Sequence, residues 1–244
     1  MTIALTSALV GVAVLLGAAT QRLTGMGFAL IAAPALVLVI GAGSGVPLVQ
    51  VLSFFVSASV LASTFRDVEW RKAFTLMIPA AVGLVPGWWL SKNIPAPFLL
   101  IFIGSLVIVA ILAMLADERA RVFTGVGGLA GAGFLSGFMN VTAGVGGPAI
   151  VLYSLSNRWA HKSFVATVQV YFMALNIGSL IAQGLPSMPW SIWITAFACL
   201  IVGIVIGHGL AARVPVRHAS RLVVVVALLG SIATIIQGLL QILS

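Results

Sequence analysis

The sequence predicts an all-α polytopic membrane protein that is built from two inverted repeats. Its composition, the alternation of charge between its loops and an internal similarity between its halves lead to this prediction. Of the 244 residues, 61% are hydrophobic and 7% are charged, and the mean hydropathy is +1.24. An ordinary soluble domain carries roughly 25% charged residues. A water-soluble globular fold is therefore excluded.

Long uncharged stretches define the predicted membrane segments. A spanning helix needs about 20 apolar residues. A split of 1–41 at Arg22 and of 122–157 at Asn140 predicts ten segments. Alternatively, each of these two ranges forms a hairpin that dips into the membrane and returns, which leaves eight spans, so we expect 8 to 10 transmembrane segments. The stretches without Lys, Arg, Asp or Glu are 1–21, 23–65, 73–91, 93–116, 122–157, 163–212 and 222–244.

The basic residues predict the orientation. On the ten-segment path eleven bases fall on one side and Lys92 alone falls on the other, which is a strong positive-inside signal. We therefore expect a multi-pass membrane protein with both termini outside the cytoplasm. The bases are dispersed among short loops without an aromatic binding motif, so nucleic acid is not an expected partner. The eleven are Arg22, Arg66, Arg71, Lys72, Arg119, Arg121, Arg158, Lys162, Arg213, Arg217 and Arg221.

The two halves of the chain resemble each other. A shift of 119 residues pairs Gln50 with Gln169, and a shift of 120 pairs Trp70 with Trp190. We infer a duplication with repeats at 1–116 and 117–244, which together form one integral membrane domain. Each repeat has an odd number of crossings, so the copies run in opposite directions, as in many secondary transporters. The shifts also pair Gly25 with Gly144, Gly27 with Gly146, Gly83 with Gly203, Gly87 with Gly207, Leu90 with Leu210 and Pro95 with Pro215.

Two equivalent interruptions contain the candidate site. They read QRLTGMGFALIAAP over 21–34 and NVTAGVGGPAI over 140–150, and both are polar and Gly-rich within apolar sequence. Irregular backbone at membrane depth persists only where protein or a watery cavity satisfies its polar groups. A helix that restarts after each break directs free N–H groups and its positive dipole end inward, which suits an anion. We therefore expect Gly-rich broken helices to open each half and to form a central anion site.

The candidate substrate-binding residues come from these breaks and from two matched glutamines. Arg22 would supply a positive charge, and Gln50 and Gln169 would complete the wall. The alternatives are that the glycines serve helix packing, that Arg22 is a cytoplasmic anchor and that the glutamines form interhelical hydrogen bonds. Asn176, Ser57 and Ser179 are weaker candidates. The full candidate set is Arg22, Thr24, Gly25, Gly27, Gln50, Asn140, Thr142, Gly144, Gly146, Gly147 and Gln169.

The four acidic residues all fall in predicted cytoplasmic loops: Asp67, Glu69, Asp117 and Glu118. Proton pumps and cation-coupled carriers usually keep a carboxylate within the membrane. An exported anion needs no coupling ion, because an inside-negative potential drives it outward. The sequence also lacks HExxH, GxSxG and P-loop motifs. We expect no catalytic residues, no metal and no cofactor.

Several of these segments resemble a known family. They are TGMGFALIAAPAL in the first half, the basic loop RDVEWRK, and GFLSGFMNVTAGVGGPAIVLYSL in the second half. Together with the duplication they are similar to the TauE/SafE family, the sulfite exporter and toluene sulfonate uptake permease group, over essentially the whole chain. The resemblance implies a transporter of small sulfur-containing anions across bacterial inner membranes.

The expected function is export of sulfite, sulfoacetate or a related organosulfonate by alternating access. The alternatives are an anion channel and a carrier for another small organic anion; a non-transporting scaffold would require a soluble loop or partner motif that the sequence lacks. The expected partners are a small anionic substrate and the lipid bilayer, with a homodimer as an open possibility.

Overall fold

The computed structural model describes residues 2–24, 27–116, 123–211 and 216–243, and the regular structure in these ranges is helical. This confirms the predicted all-α class. A single 3₁₀ turn, Phe65–Asp67, follows the third helix. The α-helices are α1 (Ile3–Thr24), α2 (Gly27–Ile40), α3 (Ala42–Thr64), α4 (Trp70–Asn93), α5 (Ala96–Ala116), α6 (Gly125–Ala143), α7 (Gly147–Ser156), α8 (His161–Gln183), α9 (Trp190–Ala211) and α10 (Val216–Leu243).

Eight of these helices are long and apolar enough to cross a membrane, and α2 and α7 are shorter. The count lies within the predicted range of 8 to 10. Because α1 and α6 are themselves long enough to span, only the second helix of each predicted hairpin is short. Large apolar side chains point outward along the long helices, such as Ile78 and Ile181, which are 70% and 81% exposed. An apolar surface of this kind is suited to contact with lipid rather than with water. The chain is a polytopic helical membrane protein.

The helix packing repeats between the halves. In each half a long helix is followed by a short one and then by three more long helices. Helix α1 packs along α9, and α6 packs along α4. Glycines allow the close approach in both pairs: a methyl group on Gly203 would lie 2.7 Å from the carbonyl oxygen of Leu15, and one on Gly83 would lie closer still to the carbonyl oxygen of Phe134. Leu15 and Phe134 are 119 residues apart, which is one of the two shifts that pair the halves of the sequence.

Helices α3 and α8 pack against each other in the middle of the molecule. The largest apolar cluster joins α3 to α1, α2, α9 and α10, and a second cluster joins α8 to α4, α6 and α7. A single residue, Gly41, connects α2 to α3. Its φ is 78°, a backbone conformation that residues other than glycine rarely adopt. The short helix α2 therefore turns directly into α3 and packs against it.

A polar cluster, here called the Glu69 cluster, connects the start of α4 to α8 and to the residues just before α8. It consists of Glu69, Lys72, Trp159 and Thr167. The carboxylate of Glu69 accepts hydrogen bonds from Trp159 Nε1 at 2.7 Å and pairs with Lys72 Nζ at 2.7 Å. Its backbone N–H donates to Thr167 Oγ1 at 2.9 Å, and the Lys72 ammonium lies 4.5 Å from the centre of the Trp159 ring. The ion pair with Lys72, followed by the Trp159 hydrogen bond, lowers the pKa of the Glu69 carboxyl group.

Candidate functional site

The first break lies between α1 and α2. The Gln21 side-chain oxygen accepts a hydrogen bond from the backbone N–H of Phe28 at 2.9 Å. A donor in the first turn of α2 is therefore already capped by protein. Gly27 is buried at the start of α2. Of the predicted site, Gly25 and the side chains of Arg22 and Thr24 lie outside the described residues.

The second break lies between α6 and α7. Gly144 ends α6 in the left-handed conformation with φ of 73°, and its N–H donates to the Asn140 carbonyl at 2.9 Å. Gly146 precedes α7, which begins without a side-chain cap and carries Pro148 in its first turn. The Ser136 hydroxyl donates to the Gly146 carbonyl at 2.7 Å and fixes the turn. This helix start is uncapped, in contrast to that of α2.

Both breaks line one cavity, which we call the central cavity. Its volume is about 30 Å³, enough for one or two water molecules. Helices α3 and α8 complete its wall. The lining residues are Gln21, Phe28, Ala29, Ser53, Val56, Ser57, Asn140, Gly144, Gly146, Gly147, Phe172 and Asn176. Residues from both predicted breaks therefore line the same cavity.

Asn140 holds three helices together at the cavity wall. Its Nδ2 group donates to Asn176 Oδ1 at 3.1 Å and to Ser179 Oγ at 2.9 Å, both on α8. Its carbonyl accepts from Gln50 Nε2 on α3 at 2.9 Å. Because the oxygen of Asn176 is engaged by Asn140, the amide nitrogen of Asn176 is the part left to donate into the cavity.

Ser53 is the polar lining residue with an unmet hydrogen bond. Its hydroxyl is buried and has no hydrogen-bond partner. A buried polar atom without a partner costs free energy, and a hydrogen bond to a water molecule or a ligand would offset that cost. The described lining residues offer amides, hydroxyls and backbone N–H groups but no carboxylate. The N–H and O–H groups among them can donate hydrogen bonds to an anion.

The predicted site residues that the structure describes differ in how close they lie to the central cavity. Gly144, Gly146, Gly147 and Asn140 line the cavity, whereas Gln50 lies one layer behind Asn140. Gly27 is buried at the start of α2 but is not a lining residue.

Gln169 and Thr142 lie away from the central cavity lining. Gln169 is buried on α8, and its Nε2 donates to the Val165 carbonyl of the same helix at 3.0 Å. Thr142 donates to the Phe138 carbonyl at 2.7 Å and lines a different cavity, described below.

Six lining residues lie outside the predicted set, and two of the weaker candidates, Asn176 and Ser57, also line the cavity. The six residues that were missed are Gln21, Phe28, Ala29, Ser53, Val56 and Phe172. Gln21 stands 119 residues before Asn140, so the repeat itself contained the signal for it. Ser53 carried none, because serine recurs throughout α3.

A wide polar cavity, the Arg66 cavity, lies where α3 ends and α8 begins. Its volume is about 890 Å³. Asp67 pairs with Lys162 at 3.0 Å in its wall. Arg66 makes the lining net positive. The lining residues are Ala58, Leu61, Ala62, Ser63, Phe65, Arg66, Asp67, Lys162 and Met173.

A small cavity, the Lys92 cavity, lies at the opposite ends of the same two helices. Its volume is about 70 Å³. The lining residues are Ala42, Gly43, Val46, Ser91, Lys92, Leu99, Thr142 and Gln183. A further cavity of about 610 Å³ between α5, α6 and α7 has Ser105 as its one polar lining residue, so it does not suit an anion.

The fold and the site together define a class of protein. Eight long apolar helices surround a small polar cavity where two shorter helices restart, which is the arrangement that many secondary transporters use for their substrate. The chain belongs to the sulfite exporter TauE/SafE family, whose model matches residues 9–234. This confirms the resemblance seen in the sequence and supports an exporter-type membrane transporter. No curated protein and no solved structure matches the chain significantly.

Proposed function

We propose that the protein is a secondary transporter that exports sulfite, sulfoacetate or a related organosulfonate across the bacterial inner membrane by alternating access. The observation that carries the proposal is the central cavity, where two Gly-rich breaks meet around neutral hydrogen-bond donors. Family membership supports a sulfur oxyanion as the cargo. We further propose that both termini are periplasmic, which would make the Arg66 cavity the cytoplasmic opening.

Three cavities along α3 and α8 support a translocation path. Each helix contributes residues to all three, in order along its length. From one end to the other, α3 contributes Val46, Ser53 and Leu61, and α8 contributes Gln183, Asn176 and Lys162. The cavity at the Arg66 end is far larger than the cavity at the Lys92 end. This difference is what a carrier open toward one side would have.

The chemistry of the central cavity supports an anionic ligand. Asn176, Ser53 and Ser57 are available as side-chain donors, and the uncapped start of α7 adds backbone N–H groups and a positive dipole end. A sulfonate or sulfite head accepts several such bonds at once. Arg22 follows Gln21 directly in the chain, and we propose that its guanidinium supplies the positive charge.

The driving force follows from charge. An inside-negative potential favours the exit of an anion by about 2.3 kcal/mol per charge per 100 mV. None of the cavity-lining residues of the described chain is an acid except Asp67, which lies at the Arg66 end. Uniport of the anion, or coupling through the substrate's own proton, is therefore sufficient.

The test is flux through proteoliposomes of the purified protein. We expect saturable sulfite or short organosulfonate flux that follows an imposed potential and exchanges labelled anion across the membrane. A channel would conduct without saturation or counterflow. If the protein transports neither anion, the proposal is overturned.

A matched pair of glycine variants tests the site. A side chain on Gly146 would meet Ser136, with a methyl carbon 2.9 Å from the hydroxyl oxygen, whereas one on Gly127 would meet nothing within 4 Å. Gly146→Val should insert into the membrane but lose flux, and Gly127→Val should keep it. Normal flux in Gly146→Val would contradict the assignment of the second break.

A further inference from the structure

The Lys92 cavity brings together the ends of four helices. Ser91 and Lys92 come from the last turn of α4, Thr142 from the end of α6 and Gln183 from the last residue of α8, and the start of α3 forms the rest of the wall. The cavity lies on the same line of α3 and α8 residues as the central cavity. It thus lies on the proposed path, and the side chain of Lys92 is exposed at this end of the path.

The ammonium group is the polar group that this cavity leaves to a ligand. The other polar side chains are engaged: Gln183 donates to the Val141 carbonyl, Thr142 donates to the Phe138 carbonyl at 2.7 Å, and Ser91 donates to the Trp88 carbonyl at 2.9 Å. The ion pairs found among the described residues are Lys72 with Glu69 and Lys162 with Asp67. Lys92 has no carboxylate partner there.

The charge pattern of the chain singles out the same residue. Lys92 alone departs from the predicted concentration of bases on the opposite side. As a membrane anchor or as a partner of the α4 helix dipole, a lysine here would not need a cavity. A positive charge at this end would attract an anion on the path, and the described lining residues of the central cavity carry no charge.

We propose that Lys92 forms an outer anion subsite, in which its ammonium group binds the oxyanion as it passes between the central cavity and the solution at that end. The inference rests on the proposed function. Lysine is a compact point charge that remains hydrated, so it suits a site where the anion binds weakly and leaves quickly. The small volume of the cavity implies that the subsite is completed when this end opens.

The test uses sealed membrane vesicles of both orientations, with sulfite and a short organosulfonate offered from one side at a time. Lys92→Gln should raise the apparent KM on the order of tenfold for anion offered from the Lys92 side, as expected for the loss of one charge-assisted contact. The KM from the opposite side should stay unchanged. Lys92→Arg should restore affinity. Arg71→Gln is the matched control, because Arg71 is exposed at the other end of α4 and lines none of the three cavities.

The outcomes separate the two proposals. If the wild-type protein transports the anion but Lys92→Gln has an unchanged KM, or a KM that rises equally from both sides, the subsite is overturned and the proposed transport function stands. Expression in the membrane fraction shows whether Lys92→Gln still inserts. If it does not insert, Lys92→Arg is the test. A KM of Lys92→Arg from the Lys92 side that differs from the wild-type value would then contradict binding by charge. Absence of flux in the wild-type protein overturns the proposed function and the subsite with it.

Discussion

The hydroxyl of Ser53 is expected to affect ligand binding and protein stability in opposite directions. It is buried at the central cavity without a partner, whereas the hydroxyl of Ser59, also on α3, donates to the Val56 carbonyl at 2.7 Å. A buried unpartnered hydroxyl destabilises a fold, and a ligand that accepts its hydrogen bond recovers that free energy. The free protein therefore carries a cost that the transported anion would remove.

Ser53→Ala should weaken anion transport without weakening the fold. A hydrogen bond to a charged group contributes about 1.5–3 kcal/mol, so we expect the KM for the anion to rise on the order of tenfold or more. The melting temperature in detergent should stay the same or increase, because the variant removes an unsatisfied polar atom. Ser59→Ala is the matched control and should leave KM unchanged. A fall in stability together with an unchanged KM would show that the hydroxyl serves packing alone.

Side-chain positions of this kind were the part of the site that the sequence could not reveal. The breaks were predictable because glycine and asparagine are conspicuous in apolar sequence, and Gly144, Gly146, Gly147 and Asn140 do line the central cavity. In contrast, α3 is apolar or small on all sides, so no periodicity indicates which of its polar residues faces the cavity. Gln50 looked like a wall residue, but it holds the Asn140 carbonyl instead.

The helices themselves were readily predictable, because each uncharged stretch is close to the length of one or two spans. What remained open was whether residues 1–41 and 122–157 cross twice. Composition cannot decide this, since α2 is as apolar as a spanning helix and differs only in its 14 residues. The length is set by the tight turn at Gly41, where the backbone adopts a positive φ. Glycine is common in this chain, so its presence alone did not locate the turn.

The Glu69 cluster connects α4 to α8 through a titratable group. Lys72 and then Trp159 lower the pKa of the Glu69 carboxyl group, so the folded protein favours the carboxylate more than the unfolded chain does. The resulting stabilisation is complete above the ordinary carboxyl pKa and is lost as the pH falls through the lowered value. Neutral pH should therefore strengthen this connection and acid should weaken it.

Glu69→Gln should remove that pH dependence. The group is partly exposed, and exposed ion pairs contribute at most about 1 kcal/mol, so the melting temperature at neutral pH should fall by on the order of 2 °C. Below the lowered pKa the variant and the wild type should melt alike. Asp67→Asn, which removes a pair with the 80% exposed Lys162, should have a smaller effect. Equal melting of Glu69→Gln and the wild type at every pH would contradict a stabilising role for the charge.

The whole chain is arranged around α3 and α8, with a wide cavity at one end of the pair, a narrow one at the other and the central cavity between them. Basic residues lie at both ends of this helix pair. Arg66 and Lys162 lie at the wide end, and Lys92 lies at the narrow end. Whether the wide Arg66 cavity is the cytoplasmic opening therefore depends on which end of the helix pair faces the cytoplasm. The two ends of α8 offer the means to determine this.

Cysteine labelling at the two ends of α8 should determine the orientation. In a Cys199→Ser background, which removes the native thiol, we expect a membrane-impermeant maleimide to label Ser187→Cys in cells whose inner membrane is intact. It should label His161→Cys only after that membrane is disrupted. Both positions are exposed, so access to solvent does not bias the comparison. The reverse pattern would turn the Arg66 cavity outward and place the bases against the positive-inside rule, and it would contradict the proposed location of both termini.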